Sequence, residues 1–403
     1  MSLTPLEEAL KLVLEQARPL GTERVFLHEA VTRVLAQDVY ADEDKPPFDN
    51  AAMDGYALRS EDAVKPGARL RVTGEVPAGT RELPKVERGT AVKIFTGAPL
   101  PPGADAVVPV EFTRREGPFV VLERPVRPGE NVRRRGEDAK KGELLLKKGT
   151  LLRGYEIGLL ASVNAAVVTV YRRPTVGILS TGDEIIDLCQ EKTEPSQIRS
   201  ANNYMLYGLT LQAGGEPKNL GLVSDEPEAL ERALEQARRF DVFITTGGVS
   251  MGEKDLVKEL VKKLGVKVLF HKLRIKPAKP VLFGVYDDGR LFFGLPGNPV
   301  SSAVAFDLLV YPAIRALQGE KRVKTALRAV LKKPFKRKKA ERREFARCRL
   351  SYEDGKLYCE PLEKQESHML TGLTQADAYL VVPEGVNELA PGQEVEVLLL
   401  APQ

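Results

Sequence analysis

The sequence predicts a multidomain α/β plus β protein. Its parts are a central doubly wound, mostly parallel sheet domain, an N-terminal α/β region with an inserted small β module, and a C-terminal small β-barrel. Three observations carry this. Between 172 and 325, apolar runs of strand length alternate with amphipathic helical patterns, which argues for parallel strands covered by helices on both faces. From 61 to 145 the texture is short alternating segments cut by Gly and Pro, the mark of a small all-β unit. From 326 to 403 similar alternation returns. At 403 residues the chain is long enough for about two to four domains, each with its own core.

The N-terminal domain is expected from 1–60 and 146–171. TPLEEALKLVLEQARPLG (4–21) reads as a helix, with Thr4 able to cap, Pro5 suited to the first turn and Glu7 placed to close a capping box. EAVTRVLAQDV carries a shorter helical pattern, and KPPFDNAAMDGYALRS reads as an irregular exposed loop. The β module, 61–145, contains ARLRVTGEV, TAVKIFTGA, ADAVVPVEF and PFVVLERPV, and a helical pattern resumes in YEIGLLASVNA (155–165). In the α/β domain, 172–325, the strands are TVGILST, KNLGLVS, DVFITTGG and VKVLFHKL, followed by a hairpin turning at Asp287-Asp288-Gly289. Helices are expected near 201–213, 227–239, 254–264 and 299–317. The basic run KKPFKRKKAERR (332–343) nearly lacks aromatic interleaving, so it reads as a solvated linker rather than a nucleic-acid patch. REFARCRLSYEDGKLYCEPL, AYLVVPEG and QEVEVLLL then supply barrel strands within 326–403.

Composition narrows the chemistry. A net charge of +4 over 403 residues does not argue for nucleic acid. Three scattered cysteines (Cys189, Cys348, Cys359) fit neither a disulfide framework nor a zinc ribbon. None of the three histidines has a ligand-like neighbour at metal spacing, so any metal is expected to be a hard cation held by oxygen. No apolar run reaches bilayer-spanning length and MSLTPLEEAL lacks signal-peptide regions. A cytoplasmic protein with no membrane contact is expected.

Three glycine-rich strand exits stand out: GILSTGDEI (177–185), ITTGGVSMGEKD (244–255) and FFGLPGNPVSS (292–302). In a doubly wound sheet ligands sit beyond the carboxyl ends of strands, where helix N-termini offer free N–H groups. Gly297 allows a sharp turn, Asn298 can cap, Pro299 suits a first helical turn, and Ser301 and Ser302 present hydroxyls. Neither G-x-G-x-x-G nor G-K-[ST] occurs, so any phosphate cradle is of another kind. Acids accompany each region: Asp183 and Glu184, Asp225, then Glu253 and Asp255. Two readings fit them. They answer helix dipoles, at about 0.3–1 kcal/mol each, or they hold Mg²⁺ between protein and substrate oxygens. HKLRIKPAKP sets Lys272, Arg274 and Lys276 on one face of an extended segment with Lys279 just beyond. A solvated edge and an oxyanion clamp both fit that pattern. FDNAAMDGYA places Asp49, Asn50, Asp54 and Tyr56 in a polar loop, either surface turn or site lining.

DNAAMDGYA, FTGAPLPPGADAVVPVE, STGDE, ITTGGVSMGEKD, KLRIKPAKP and GLPGNPVSS, in this order, resemble the molybdopterin molybdenumtransferases of molybdenum-cofactor synthesis, the family that includes the E domain of gephyrin. The resemblance covers essentially the whole chain. It implies an elongated homodimer and insertion of molybdate into adenylylated molybdopterin with Mg²⁺-assisted loss of AMP. By motif match, Glu184, Asp225 and Asp255 are the metal-proximal acids. Lys272, Lys276, Lys279 and Ser301 clamp molybdate, with Arg347 and Ser367 at positions associated with the same anion. Gly182, Gly247, Gly248, Ser250, Pro296, Gly297, Asn298 and Pro299 line the substrate, and Asp54 and Thr96 reach the site from the partner subunit. An adenylyltransferase that supplies the substrate is an implied partner. A different pterin- or nucleotide-processing enzyme on the same α/β domain, or a non-enzymatic scaffold, are the alternative readings.

Overall fold

A computed structural model describes residues 3–80, 82–247, 256–320 and 323–400. Its centre is a six-stranded sheet in the order Glu216–Val223, Thr175–Thr181, Val242–Thr246, Leu291–Leu295, Leu282–Val285, Lys267–Phe270. The first four strands run parallel, and Leu282–Val285 is antiparallel to both its neighbours. Strand periodicity sorts the side chains. Val242 and Ile244 pack with Leu206 and Ala213, from the helix Asn202–Gln212 and its end, and with the helix Pro299–Leu317. Phe243 faces the other way, toward Leu230, Leu234, Leu260 and Val261 of the helices Pro227–Glu235 and Leu256–Lys263. The sheet is thus covered on both faces, as the α/β alternation predicts. The hairpin turn falls where expected, with Gly289 at φ 86°.

Pro299–Leu317 has a mean hydropathy of 1.4 and the length to cross a bilayer, contrary to the reading that no apolar run approaches that length, yet 94% of it is buried. It is the core helix of the α/β domain. Its hydrophobicity all round follows from burial on all sides.

The C-terminal strands close on themselves in the cycle Arg343–Glu353, Lys356–Pro361, Ala326–Leu331, Glu394–Leu399, Ala378–Val382, with the last pairing back to the first. Closure removes sheet edges. Ala346, Cys348, Cys359, Leu380 and Val397 fill this barrel, and both of its cysteines are free thiols. The β module is a six-stranded sheet ordered Ala106–Pro109, Gly55–Leu58, Thr90–Ile94, Arg69–Val76, Phe119–Leu122, Thr113–Glu116.

Several local expectations are corrected. The first helix spans only Leu6–Gln16, and Thr4 makes a parallel bridge to Leu273 instead of capping. Glu7 closes no capping box; its carboxylate accepts from Arg343 of the barrel at 2.5 Å. Ala9, Val13 and Ala17 belong to the α/β core, so the helix grouped with residues 22–60 packs on the central domain. EAVTRVLAQDV forms no α-helix: Val34 and Leu35 bridge Leu151 and Val170, because Leu35 is needed in the core with Leu152, Leu160 and Val168. Gly55–Leu58 is a buried inner strand rather than an exposed loop. A Cβ on Gly55 would come within 1.9 Å of the Val108 carbonyl, so the neighbouring strand requires glycine there. Nor is the basic run a free linker. Lys332, Lys333, Lys336, Arg337 and Arg343 pair with Glu353, Glu360, Glu388, Glu344 and Glu7 respectively.

Candidate functional site

Two cavities meet at the start of the helix Pro299–Leu317. The larger, about 610 Å³, lies beyond the carboxyl ends of Thr175–Thr181 and Val242–Thr246 and is lined by Gly182, Glu184, Asp225, Gly247, Gly297, Asn298 and Pro299, among others. The glycines are there for close approach. Gly247 has φ 93°, and a Cβ on it would sit 2.3 Å from the Thr181 carbonyl; Gly182 has φ 141°. A Cβ on Gly297 would lie 3.7 Å from the Gly247 Cα, so these two exits converge on one spot. At Gly182 and Gly247 only glycine tolerates the φ without strain, and at Gly247 the crowding also excludes a side chain.

Hydrogen bonds fix the floor. Asn202 donates to the Thr246 hydroxyl and the Gly297 carbonyl, each at 2.7 Å, joining two of the exits. The Pro296 carbonyl accepts from Thr246 Oγ1 at 3.0 Å and from Ser302 Oγ at 2.5 Å, so Pro296 works from beneath the floor and does not line either cavity. Asn298 occupies the N-cap position but makes no capping hydrogen bond, contrary to expectation; it borders both cavities.

The larger cavity is acidic on one side. Asp225 donates its backbone N–H to Asp183 at 3.1 Å. Burial, reinforced by the charges of Asp183 and Glu184, raises the Asp225 pKa above the ordinary carboxylate value. Like charges held this close favour a cation among them. Among the described residues no three His, Cys, Asp or Glu side chains form a metal-holding group. Asp255, Gly248 and Ser250 lie outside the described residues.

The smaller cavity, about 260 Å³, is basic. Lys276, Lys279, Ser301 and Asn298 come from the α/β domain, while Arg342, Glu344 and Ser367 come from the C-terminal domain. The Ser367 carbonyl accepts from Val300 N at 3.1 Å, pinning this loop to the helix start, and the next residue, His368, lines the larger cavity. A tetrahedral oxyanion matches the small volume and the ring of cations and hydroxyls. Both cavities are therefore one compound site.

Other expected residues lie elsewhere. Lys272 lines neither cavity; its carbonyl accepts from Thr4 N at 2.9 Å. Arg347 is wholly buried and lines neither cavity. Its guanidinium donates to the Lys364 carbonyl at 3.0 and 2.6 Å and to the Glu366 carbonyl at 3.2 Å, so it supports the loop that carries Ser367. Burial lowers its pKa. Asp54 and Thr96 are together but border neither cavity: Thr96 N and Oγ1 both donate to Asp54 Oδ1 at 2.7 Å, which holds that carboxyl below its usual range. Asn202, Arg199, His368, Arg342 and Glu344 were not singled out from sequence. Arg342 is the instructive miss, hidden in a basic run whose neighbours are mostly ion-paired.

Comparison with known proteins matches three consecutive segments. Residues 4–164 match the MoeA N-terminal region (domains I and II), 177–316 a probable molybdopterin binding domain, and 328–400 the MoeA C-terminal region (domain IV). The molybdopterin molybdenumtransferase of Bacillus subtilis (strain 168) is 36% identical over 406 residues, spanning 98% of this chain and 94% of the relative. That of Haemophilus influenzae is 36% identical over 397 residues, with 97% of each chain covered. The crystal structure of the molybdopterin biosynthesis MoeA protein from Pyrococcus horikoshii OT3 superposes with a TM-score of 0.85 at 36% identity, covering 99% of this chain and 100% of that one.

Proposed function

The chain belongs to the molybdopterin molybdenumtransferase (MoeA) family, and from that premise we propose that it inserts molybdate into adenylylated molybdopterin with release of AMP. The observation that carries the reading is the junction at Asn298 of a glycine-floored, acid-sided cavity with a small basic one. The larger cavity offers the N-terminus of Pro299–Leu317 and unencumbered backbone to a pterin-linked diphosphate. The smaller one holds the oxyanion through Lys276, Lys279, Ser301 and Ser367 next to the dithiolene-bearing end of that substrate.

Oxygen donors of the kind Mg²⁺ takes are present in Glu184 and Asp225, with Asp183 beside them, and the raised Asp225 pKa fits a carboxylate short of a cation. Glu184, Asp225 and, by motif, Asp255 would hold the ion, which when bound neutralises charge on the phosphoanhydride. The protein's own contribution is orientation: Asn202 and the glycine exits set the floor, and Asn298 faces both ligands. Asp54 and Thr96 serve the site only if a partner subunit presents them, so a homodimer with shared sites is part of the proposal. So are a cytoplasmic location and receipt of substrate from an adenylyltransferase. Purified protein given adenylylated molybdopterin and Mg²⁺ is expected to release AMP only when molybdate is added. Release at the same rate without molybdate would overturn the reading.

A further inference from the structure

Two acids line the basic cavity, Glu344 and Glu366. Glu366 is exposed to solvent, whereas Glu344 is buried, its side chain only 5% exposed, and is the one an anion site should reject. A buried carboxylate facing a bound oxyanion repels it unless the charge is spoken for. Here it is matched on two sides. Lys276 Nζ lies 2.9 Å from Glu344 Oε1, and Arg337 Nη1 lies 3.4 Å from Oε2.

The pairing is written into the backbone. Ile275 and Lys276 form a short parallel ladder with Arg343 and Glu344, putting Lys276 opposite Glu344 in register. Arg342 Nη1 donates to the Ile275 carbonyl at 3.1 Å, and Arg343 N to the Arg274 carbonyl at 3.2 Å. The clamp segment of the α/β domain is thus stitched to the first long strand of the barrel. Arg337, with its side chain 2% exposed, is itself held by the carbonyls of Val386, Arg342 and Pro383. Its position is fixed, so it compensates Glu344 from behind while Lys276 is held from the front.

We propose that Glu344 is a positioning residue for oxyanion capture: it holds the Lys276 ammonium at the mouth of the basic cavity, and Arg337 offsets the charge this requires. A lysine side chain has four rotatable bonds and a strongly hydrated head. Left unheld and 45% exposed, Lys276 would spend much of its time in solvent. Held, it offers its remaining donors to an anion without a fresh ordering cost. The inference rests on the oxyanion reading of this cavity and deepens it.

Equilibrium binding of molybdate and of tungstate to the full chain, measured by titration calorimetry, tests it with Lys276→Ala, Glu344→Gln and the double variant. Lys276→Ala is expected to weaken binding about tenfold or more, as loss of a charge-assisted contact does, and Glu344→Gln about three- to tenfold. The double variant is expected to bind no more weakly than Lys276→Ala within about twofold, because Glu344 acts through the lysine. Glu344→Asp, which keeps the charge but shortens the reach, is expected to fall between wild type and Glu344→Gln, and serves if the Gln variant does not fold. Tighter or unchanged binding in Glu344→Gln, or an equal loss on adding it to Lys276→Ala, would overturn the positioning role while leaving the oxyanion site intact. Unchanged binding in Lys276→Ala would overturn the site and the role together.

Discussion

The two cavities differ in charge, and they differ more deeply in construction. The larger is assembled almost wholly within the α/β domain, from strand ends and a helix start that the backbone glycines allow to converge. The smaller is divided between two domains and exists only where the barrel docks, with Lys276, Lys279 and Ser301 on one side and Arg342, Glu344 and Ser367 on the other. A local cavity is governed by backbone geometry, an assembled one by ion pairs and docking. Perturbations should sort accordingly.

The largest effect is expected at the glycine floor. Gly247→Ala places a Cβ against the Thr181 carbonyl at a left-handed φ, so it should cost more than about 2 kcal/mol of stability. Turnover should fall on the order of a hundredfold or more as the converging exits are pushed apart. Thermal unfolding and AMP release check both, and a variant with full turnover would mean that close approach is not what the site requires. Asp225→Asn comes next. It should lower turnover on the order of a hundredfold by altering the electrostatics of the side proposed for the diphosphate, while oxyanion affinity stays within about twofold of wild type. A parallel loss of oxyanion affinity would dissolve the distinction between the cavities. Conversely, Lys276→Ala should raise the molybdate requirement about tenfold and leave affinity for adenylylated molybdopterin unchanged, which competition binding can read.

A smaller effect sharpens the contrast at the far end of the same sheet. Asp241 accepts from both Arg172 Nη atoms and from Thr175 N and Oγ1, each at 2.8 Å, anchoring the entry to Thr175–Thr181. Burial pushes its pKa up, but the Arg172 guanidinium and the two Thr175 donors outweigh this and hold it below the ordinary value. The folded form therefore gains stability from the ionised carboxylate above the unfolded pKa of about 3.9, and that gain disappears as pH falls through the lower folded value. Asp241→Asn should cost about 1 kcal/mol at neutral pH, allowing for partial exposure, and the difference from wild type should vanish in acid. Denaturant titrations at several pH values measure it. A difference that grows on acidification would have the wrong sign.

The same contrast explains what could be read in advance. STGDE, TTGG and GLPGNP announce the larger cavity because each local stretch encodes its own turn, and the strand-helix alternation places those turns at one edge. The hairpin and the barrel follow from similarly local patterns. The assembled cavity is only half legible. KLRIKPAKP marks the lysines, but which arginine of the C-terminal domain faces them depends on docking. The family resemblance points to Arg347, whereas the structure buries it under the 364–366 loop and lines the cavity with Arg342. Glu344 is equally silent, since an acid between arginines in a strand carries no local signal of its cross-domain partner. AMDGYA misleads for the reverse reason: its polar residues resemble a loop, while Val108 opposite Tyr56 makes an inner strand of it.

In the proposed function the oxyanion is captured in the small basic cavity, beside the larger one. Anomalous diffraction from crystals soaked in tungstate locates that heavy oxyanion directly. A peak among Lys276, Lys279 and Ser301 is expected, and occupancy confined to the acid-sided cavity, or to neither, would contradict capture in the basic one.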